Sequence, residues 1–108
     1  MTGHIVARAF RGTRKTSVYR DHAVAARDLA RIAEAGRQSG LGVTATLASV
    51  PCELGKERAG ALAGELSDLR LGAQLLELDD ELTALAELAR FCARAHGGAW
   101  LTLAEAST

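Results

Sequence analysis

The chain has 108 residues, thirteen Lys/Arg against thirteen Asp/Glu, and only two cysteines. That length predicts a single domain over residues 1–108, and two cysteines are too few for a disulfide-dense secreted scaffold. No apolar run approaches the ~20 residues that a membrane span needs, and Met1-Thr2-Gly3-His4 lacks the apolar core of a secretory leader. A soluble, cytoplasmic protein with reduced thiols is therefore expected. Arg outnumbers Lys eleven to two, and Ala and Leu dominate, a usage typical of GC-rich bacterial genomes.

Zero net charge conceals an uneven distribution. Residues 1–40 hold eight Lys/Arg and three Asp/Glu, whereas residues 41–108 hold five and ten. Aromatic residues make up 4% of the chain, so Leu, Ala, Val and Ile must supply most of the core.

In chain order, His4 to Phe10 alternates with a period of two and predicts a strand. Residues 11–20 break the pattern and read as a loop, although Ser17-Val18-Tyr19 suits the second arm of a hairpin. Asp21 is a good N-cap for a helix over 22–38, with Ala25, Leu29, Ile32, Ala33 and Gly36 on one face. Gly40 and Gly42 stop it. Residues 43–50, with β-branched Val43, Thr44 and Thr46, predict a strand that ends at Pro51. A second helix is expected over about 55–69, its stripe being Ala59, Leu62, Ala63, Leu66 and Leu69. Residues 73–78 fit a short strand or a helical continuation. Asp79 reads as the cap of a third helix over 80–96, acidic in its first turn and basic in its last, as the helix dipole favours. Its apolar stripe is Leu82, Leu85, Ala86, Ala89 and Cys92, widened by Leu88 and Phe91. Gly97-Gly98 ends it. Residues 99–103 read as a final strand anchored in the core by Trp100, and 104–108 as a frayed tail.

These elements predict an α+β two-layer sandwich, about three helices packed on a small three- or four-stranded sheet. Strict alternation of strands and helices is the alternative, an α/β fold with a parallel sheet.

The segment from Arg8 to Arg20 holds five positive charges among Gly, Thr and Ser, with no acidic residue. Arg11, Arg14, Lys15 and Arg20 are the candidate binding residues, since guanidinium, ammonium, hydroxyl and backbone donors suit phosphate and carboxylate. The spacing does not match G-x-x-x-x-G-K-[ST]. A solvated loop whose charges only aid solubility is the competing reading. Cys52 precedes a predicted helix, where a thiol pKa can fall, but the adjacent Glu53 opposes that, and a small half-buried apolar side chain is the simpler role. His4, His22 and His96 have no metal-binding spacing. No catalytic residue, metal or cofactor is assigned. The expected function is a non-enzymatic protein that binds a macromolecular partner, of accessory, regulatory or immunity type. The partner is another protein or a second copy of the chain. One alternative is a phosphate- or nucleotide-binding protein or small enzyme that uses residues 11–20. Nucleic acid is a further alternative, disfavoured by the acidic second half.

Overall fold

The alternation at the start of the chain forms strand β1 (His4–Arg11), which buries Ile5, Ala7 and Ala9 on one face. A computed structural model describes residues 3–106 of the chain. The leader reading of Met1 and Thr2, and the end of the tail at 107–108, fall outside the described residues. β1 turns back through residues 12–16 into β2 (Ser17–Ala25), so residues 11–20 belong mainly to a β-hairpin rather than a loop. Helix α1 (Ala26–Gln38) follows directly. Asp21 and His22 are thus strand residues and not a helix start. Continued pairing with β1 as far as His4↔Ala25 holds this segment extended. Ala26 N–H then donates to the Gly3 carbonyl at 2.9 Å, the last hydrogen bond of the hairpin.

Residues 43–50 are not a strand. Gly42–Ala45 forms a short helix, α2, and Thr46–Ala48 a 3₁₀ turn. Tertiary contacts override the β preference of Val and Thr. The Glu65 carboxylate accepts from the Thr44 N–H at 2.7 Å and the Val43 N–H at 3.3 Å, both free donors at the start of α2. It also accepts from the Thr44 hydroxyl at 2.8 Å. Thr44 is fully buried against α1 at Gly36, where an added Cβ would lie 2.6 Å from the Thr44 methyl.

β3 (Cys52–Gly55) leads into α3 (Lys56–Leu71). All five residues of the stripe read from the sequence of α3 are buried. Residues 73–78 form neither a strand nor a continuous helix. Ala73, at φ 54°, breaks the helix, and Leu76–Leu78 is a 3₁₀ turn. α4 (Asp79–Arg94) begins one residue earlier than expected. Its N-cap is Leu78, which makes no side-chain cap bond, while the Asp79 carboxylate is engaged by Arg70 at 2.9 Å. Leu82, Leu85, Ala86, Leu88, Ala89 and Cys92 are buried, as the stripe predicts. β4 (Ala99–Glu105) runs two residues further than expected, because it pairs with β1 along its length.

The sheet order is β2-β1-β4-β3, and every neighbouring pair is antiparallel. The architecture is therefore the α+β two-layer sandwich, and the parallel α/β alternative is excluded. Ile5, Ala7, Ala9, Val24, Leu54, Ala99, Leu101 and Leu103 point into one core beneath the helices. The other face of the sheet carries Val6, Arg8, Phe10, Val18, Trp100 and Thr102 and has no helix over it. Trp100 is thus a residue of the open face and not of the core. It is directly opposite Phe10 in the ladder, and its indole N–H donates to the Thr13 carbonyl at 3.1 Å. No helix among the described residues is long and apolar enough to cross a membrane.

Two glycine substitutions are expected to have opposite effects. Alanine is favoured over glycine inside a helix by about 1 kcal/mol, but at Gly36 the new Cβ would collide with Thr44, which Glu65 holds in place. Overpacking costs about 1–3 kcal/mol, so Gly36→Ala destabilises. At exposed Gly64 in α3 nothing lies within 4 Å of the added Cβ, so Gly64→Ala stabilises by about 0.5–1 kcal/mol. Urea unfolding midpoints of the two variants test this difference in sign.

Candidate functional site

The hairpin carries the basic segment read from the sequence, and a bulge determines where its side chains go. The β1–β2 register passes from Ala9↔Arg20 to Phe10↔Val18, leaving Tyr19 as the extra residue. A bulge re-aims side chains next to it. Here Tyr19 and Arg20 both turn toward the helices. Tyr19 stacks on Phe91 of α4, with ring centroids 3.6 Å apart and planes 2° from parallel. Arg20 lies 3.7 Å from the Glu87 carboxylate and 5.3 Å from the Tyr19 centroid. Further along β2, His22 Nε2 is 2.8 Å from Glu81. The three contacts place α4 alongside β2 and antiparallel to it.

Between the two elements lies a shallow groove of about 500 Å³, lined by Tyr19, Arg20, Glu87, Arg90, Phe91 and Arg94 with Leu88 and Ala95. Arg11 borders it. Its guanidinium is 5.5 Å from the Tyr19 centroid and 5.6 Å from that of Phe91. Near-equal distances to two stacked rings place Arg11 beside the stack rather than over one face. Arg20, Arg90 and Arg94 thus line the groove together with the two rings, Arg11 lies beside them, and Glu87 is the one carboxylate in the lining. Arg11, Arg90 and Arg94 make no salt bridge among the described residues. Elsewhere, Arg8 pairs with Asp21, Arg31 with Glu77, Arg37 with Glu34 and Arg70 with Asp79, whereas Arg27 of α1 and Arg58 of α3 make no salt bridge among the described residues. Three of the unpaired arginines, Arg11, Arg90 and Arg94, lie together at this groove, where guanidinium forks can bind a carboxylate or phosphate in bidentate fashion.

The four candidate residues separate in space. Arg11 and Arg20 meet at the groove. Lys15 turns to the other side of the sheet, where its ammonium is 2.6 Å from Glu53 and 4.7 Å from the Trp100 ring centroid. Its backbone has φ 56°, so the turn accepts a strained non-glycine residue at this point. Arg14 is exposed at the tip and joins neither group. Sequence reasoning missed Arg90 and Arg94 as site residues, because their place near the end of a helix was explained by the dipole. The signal was the spacing of Arg90, Phe91 and Arg94, which puts two cations a turn apart beside the half-exposed ring of an otherwise buried stripe.

Cys52 is the first residue of β3 rather than a residue beyond a strand, and it is half-buried. Burial pushes its thiol pKa up, the nearby Arg58 lowers it and Glu53 raises it again. Cys92 is fully buried and its pKa is pushed up to about 11 by burial alone. Neither thiol has the depressed pKa of a nucleophile. Among the described residues no group of three or more His, Cys, Asp or Glu is placed to hold a metal ion.

At neutral pH iodoacetamide is expected to label Cys52 slowly and Cys92 only through opening of the fold. Raising the pH above the ordinary thiol range accelerates the reaction at Cys52 as its thiolate forms. Mass-spectrometric labelling rates at the two positions check this, and rapid labelling of Cys52 at pH 7 would contradict the upward shift. Compared with protein-family models, curated proteins and solved structures, the chain matches none of them.

Proposed function

We propose that this chain is a non-enzymatic binding protein whose β2–α4 groove receives an acidic segment of a protein partner. The gathering of Arg11, Arg20, Arg90 and Arg94 at the groove that holds the Tyr19–Phe91 stack, with one carboxylate in its lining, carries this reading. The groove is open and shallow, which suits a chain segment lying across the surface better than a small molecule enclosed on all sides. Arginine and aromatic side chains are also the types that most often dominate binding energy at protein interfaces. The acidic remainder of the molecule favours a compact anionic segment over a long nucleic-acid backbone, which would meet Asp79, Asp80 and Glu81 at the other end of α4. A cytoplasmic setting belongs to the same reading and is supported by two cysteines that form no disulfide. A phosphorylated small molecule is the second reading, since the same guanidiniums suit phosphate.

A fluorescein-labelled glutamate-rich peptide is expected to bind at low ionic strength and to weaken as salt is added. Arg90→Glu combined with Arg94→Glu should lower its affinity by at least about tenfold, the loss of two charge-assisted contacts. Fluorescence anisotropy measures this, with inorganic phosphate, ATP and a random DNA duplex as competitors. Equal binding by the variant would exclude the groove. Tighter binding of the duplex or of ATP would transfer the site to those ligands.

A further inference from the structure

β2 is an edge strand. Among the described residues nothing pairs with its outer side, and the ladder shows which backbone groups lie there. Ala26 N–H donates to the Gly3 carbonyl directly opposite it. Antiparallel pairs alternate between hydrogen-bonded and non-hydrogen-bonded. Ile5/Val24, Ala7/His22 and Ala9/Arg20 are therefore the hydrogen-bonded pairs. On its other side β1 agrees, because the His4 carbonyl accepts from Ala106 of the final segment at 2.9 Å. Arg20, His22 and Val24 spend their backbone groups on β1, and Asp21 and Ala23 turn theirs to the unpaired edge. Both of these residues are exposed, and the register is regular from Arg20 to Ala25.

We infer that the acidic segment binds as an added strand on β2, pairing with the backbone of Asp21 and Ala23 while alternate acidic side chains enter the arginine groove. The inference rests on the groove reading above and adds the conformation and residue pattern of the ligand. An added strand continues the pleat, so its residue opposite Arg20 points to the helix side at the edge of the groove, and its next residue on that side toward the hairpin tip passes Tyr19, away from Glu81 beside His22. Successive side chains on that side are about 6.8 Å apart. Arg90 and Arg94 are one i,i+4 step apart on a helix, a rise of about 6 Å. The two spacings match, so the inward residue at Arg20 and the next one toward the hairpin tip can meet the two arginines. Backbone bonds then supply affinity and the alternate side chains supply specificity, as in strand addition generally.

The polarity of α4 limits where the acids lie. Asp79, Asp80 and Glu81 occupy its first turn, beside His22, and Arg90 and Arg94 its last two turns, beside Tyr19. Carboxylates are attracted at the Arg20 end of β2 and repelled at the Ala25 end. A second copy of β2, SVYRDHAVA, is a poorer occupant. It carries one carboxylate, Asp21, on the open face of the sheet and paired to Arg8 at 3.1 Å. The Tyr19 bulge and the charges on β2 are devices that discourage such edge-to-edge association.

The test compares three peptides by anisotropy: one with glutamate at alternate positions, one of the same composition with the glutamates in a block, and the alternating peptide N-methylated on the amides of its pairing edge. Amide hydrogen exchange of the protein is followed in parallel. The alternating peptide is expected to bind about tenfold more tightly than either control, since each control forfeits backbone or side-chain bonds. It should also slow exchange at the Asp21 and Ala23 amides. If all three bind alike, depend on Arg90 and Arg94, and leave those amides unprotected, strand addition is overturned and the groove reading stands. If no acidic peptide binds, both fall. Protection of Asp21 and Ala23 that rises with protein concentration alone, with a dimeric mass, would assign the edge to a second copy and overturn the inference.

Discussion

Close approach of the helix layer to the sheet is the constraint on which the rest of this structure depends. With so few aromatic residues, bulk cannot fill the space between layers, and the layers themselves must come together. β1 is an interior strand of the sheet, paired on both sides, and it presents fully buried Ala7 and Ala9 to the helix layer. α4 answers with Ala86 and Ala89, and α3, which packs on α4, adds Ala59, all fully buried. At Gly60 an added Cβ would touch the Ala93 methyl at 3.4 Å, so the two helices meet almost backbone to backbone. Leucines from every layer fill what remains. Interiors pack at crystal-like density, and a core of Ala and Leu reaches it only at short interlayer distances.

A tightly closed core has no room for rings. Phe10, Tyr19, Phe91 and Trp100 are all outside it, half-buried or exposed. Each instead sits where the basic hairpin meets the rest of the fold. Tyr19 and Phe91 form the floor of the groove, and Phe10 and Trp100 lie side by side across β1 and β4 on the open face. The surface chemistry of the molecule and the thinness of its core are thus two results of one composition. Gly98 shows the same economy. It has φ +92°, and a Cβ there would fall 2.7 Å from the Thr13 methyl, so the hairpin tip rests where glycine leaves space.

Much of the fold was legible because it follows from periodicity. The stripes of α3 and α4 and the alternation of β1 are one-dimensional records of which face is buried, and they survive in the structure residue by residue. What failed depends on contacts distant in sequence. Thr44 and Thr46 favour a strand locally, but Glu65, twenty-one residues after Thr44, accepts from the Val43 and Thr44 N–H groups and caps the segment as a helix. Asp21 and His22 suit a helix start, but β1 keeps them extended. The site was half legible for the same reason. Arg11 and Arg20 stood out as part of a charge run, whereas Arg90 and Arg94 became meaningful only when the Tyr19 bulge brought the hairpin against α4. Lys15 belonged to the same run and went to the opposite face, which no local pattern distinguishes.

The seating of the hairpin tip on Trp100 gives this protein a built-in gauge. Trp100 is its only tryptophan, and its indole is bonded to the turn and lies beneath Lys15 rather than within the core. Its fluorescence therefore reports whether the tip is docked, while far-ultraviolet ellipticity reports the helices. In a cooperative unfolding the two signals move together. Any separation between them measures the free energy with which the tip lifts away while the core stays closed, a local opening below the global one.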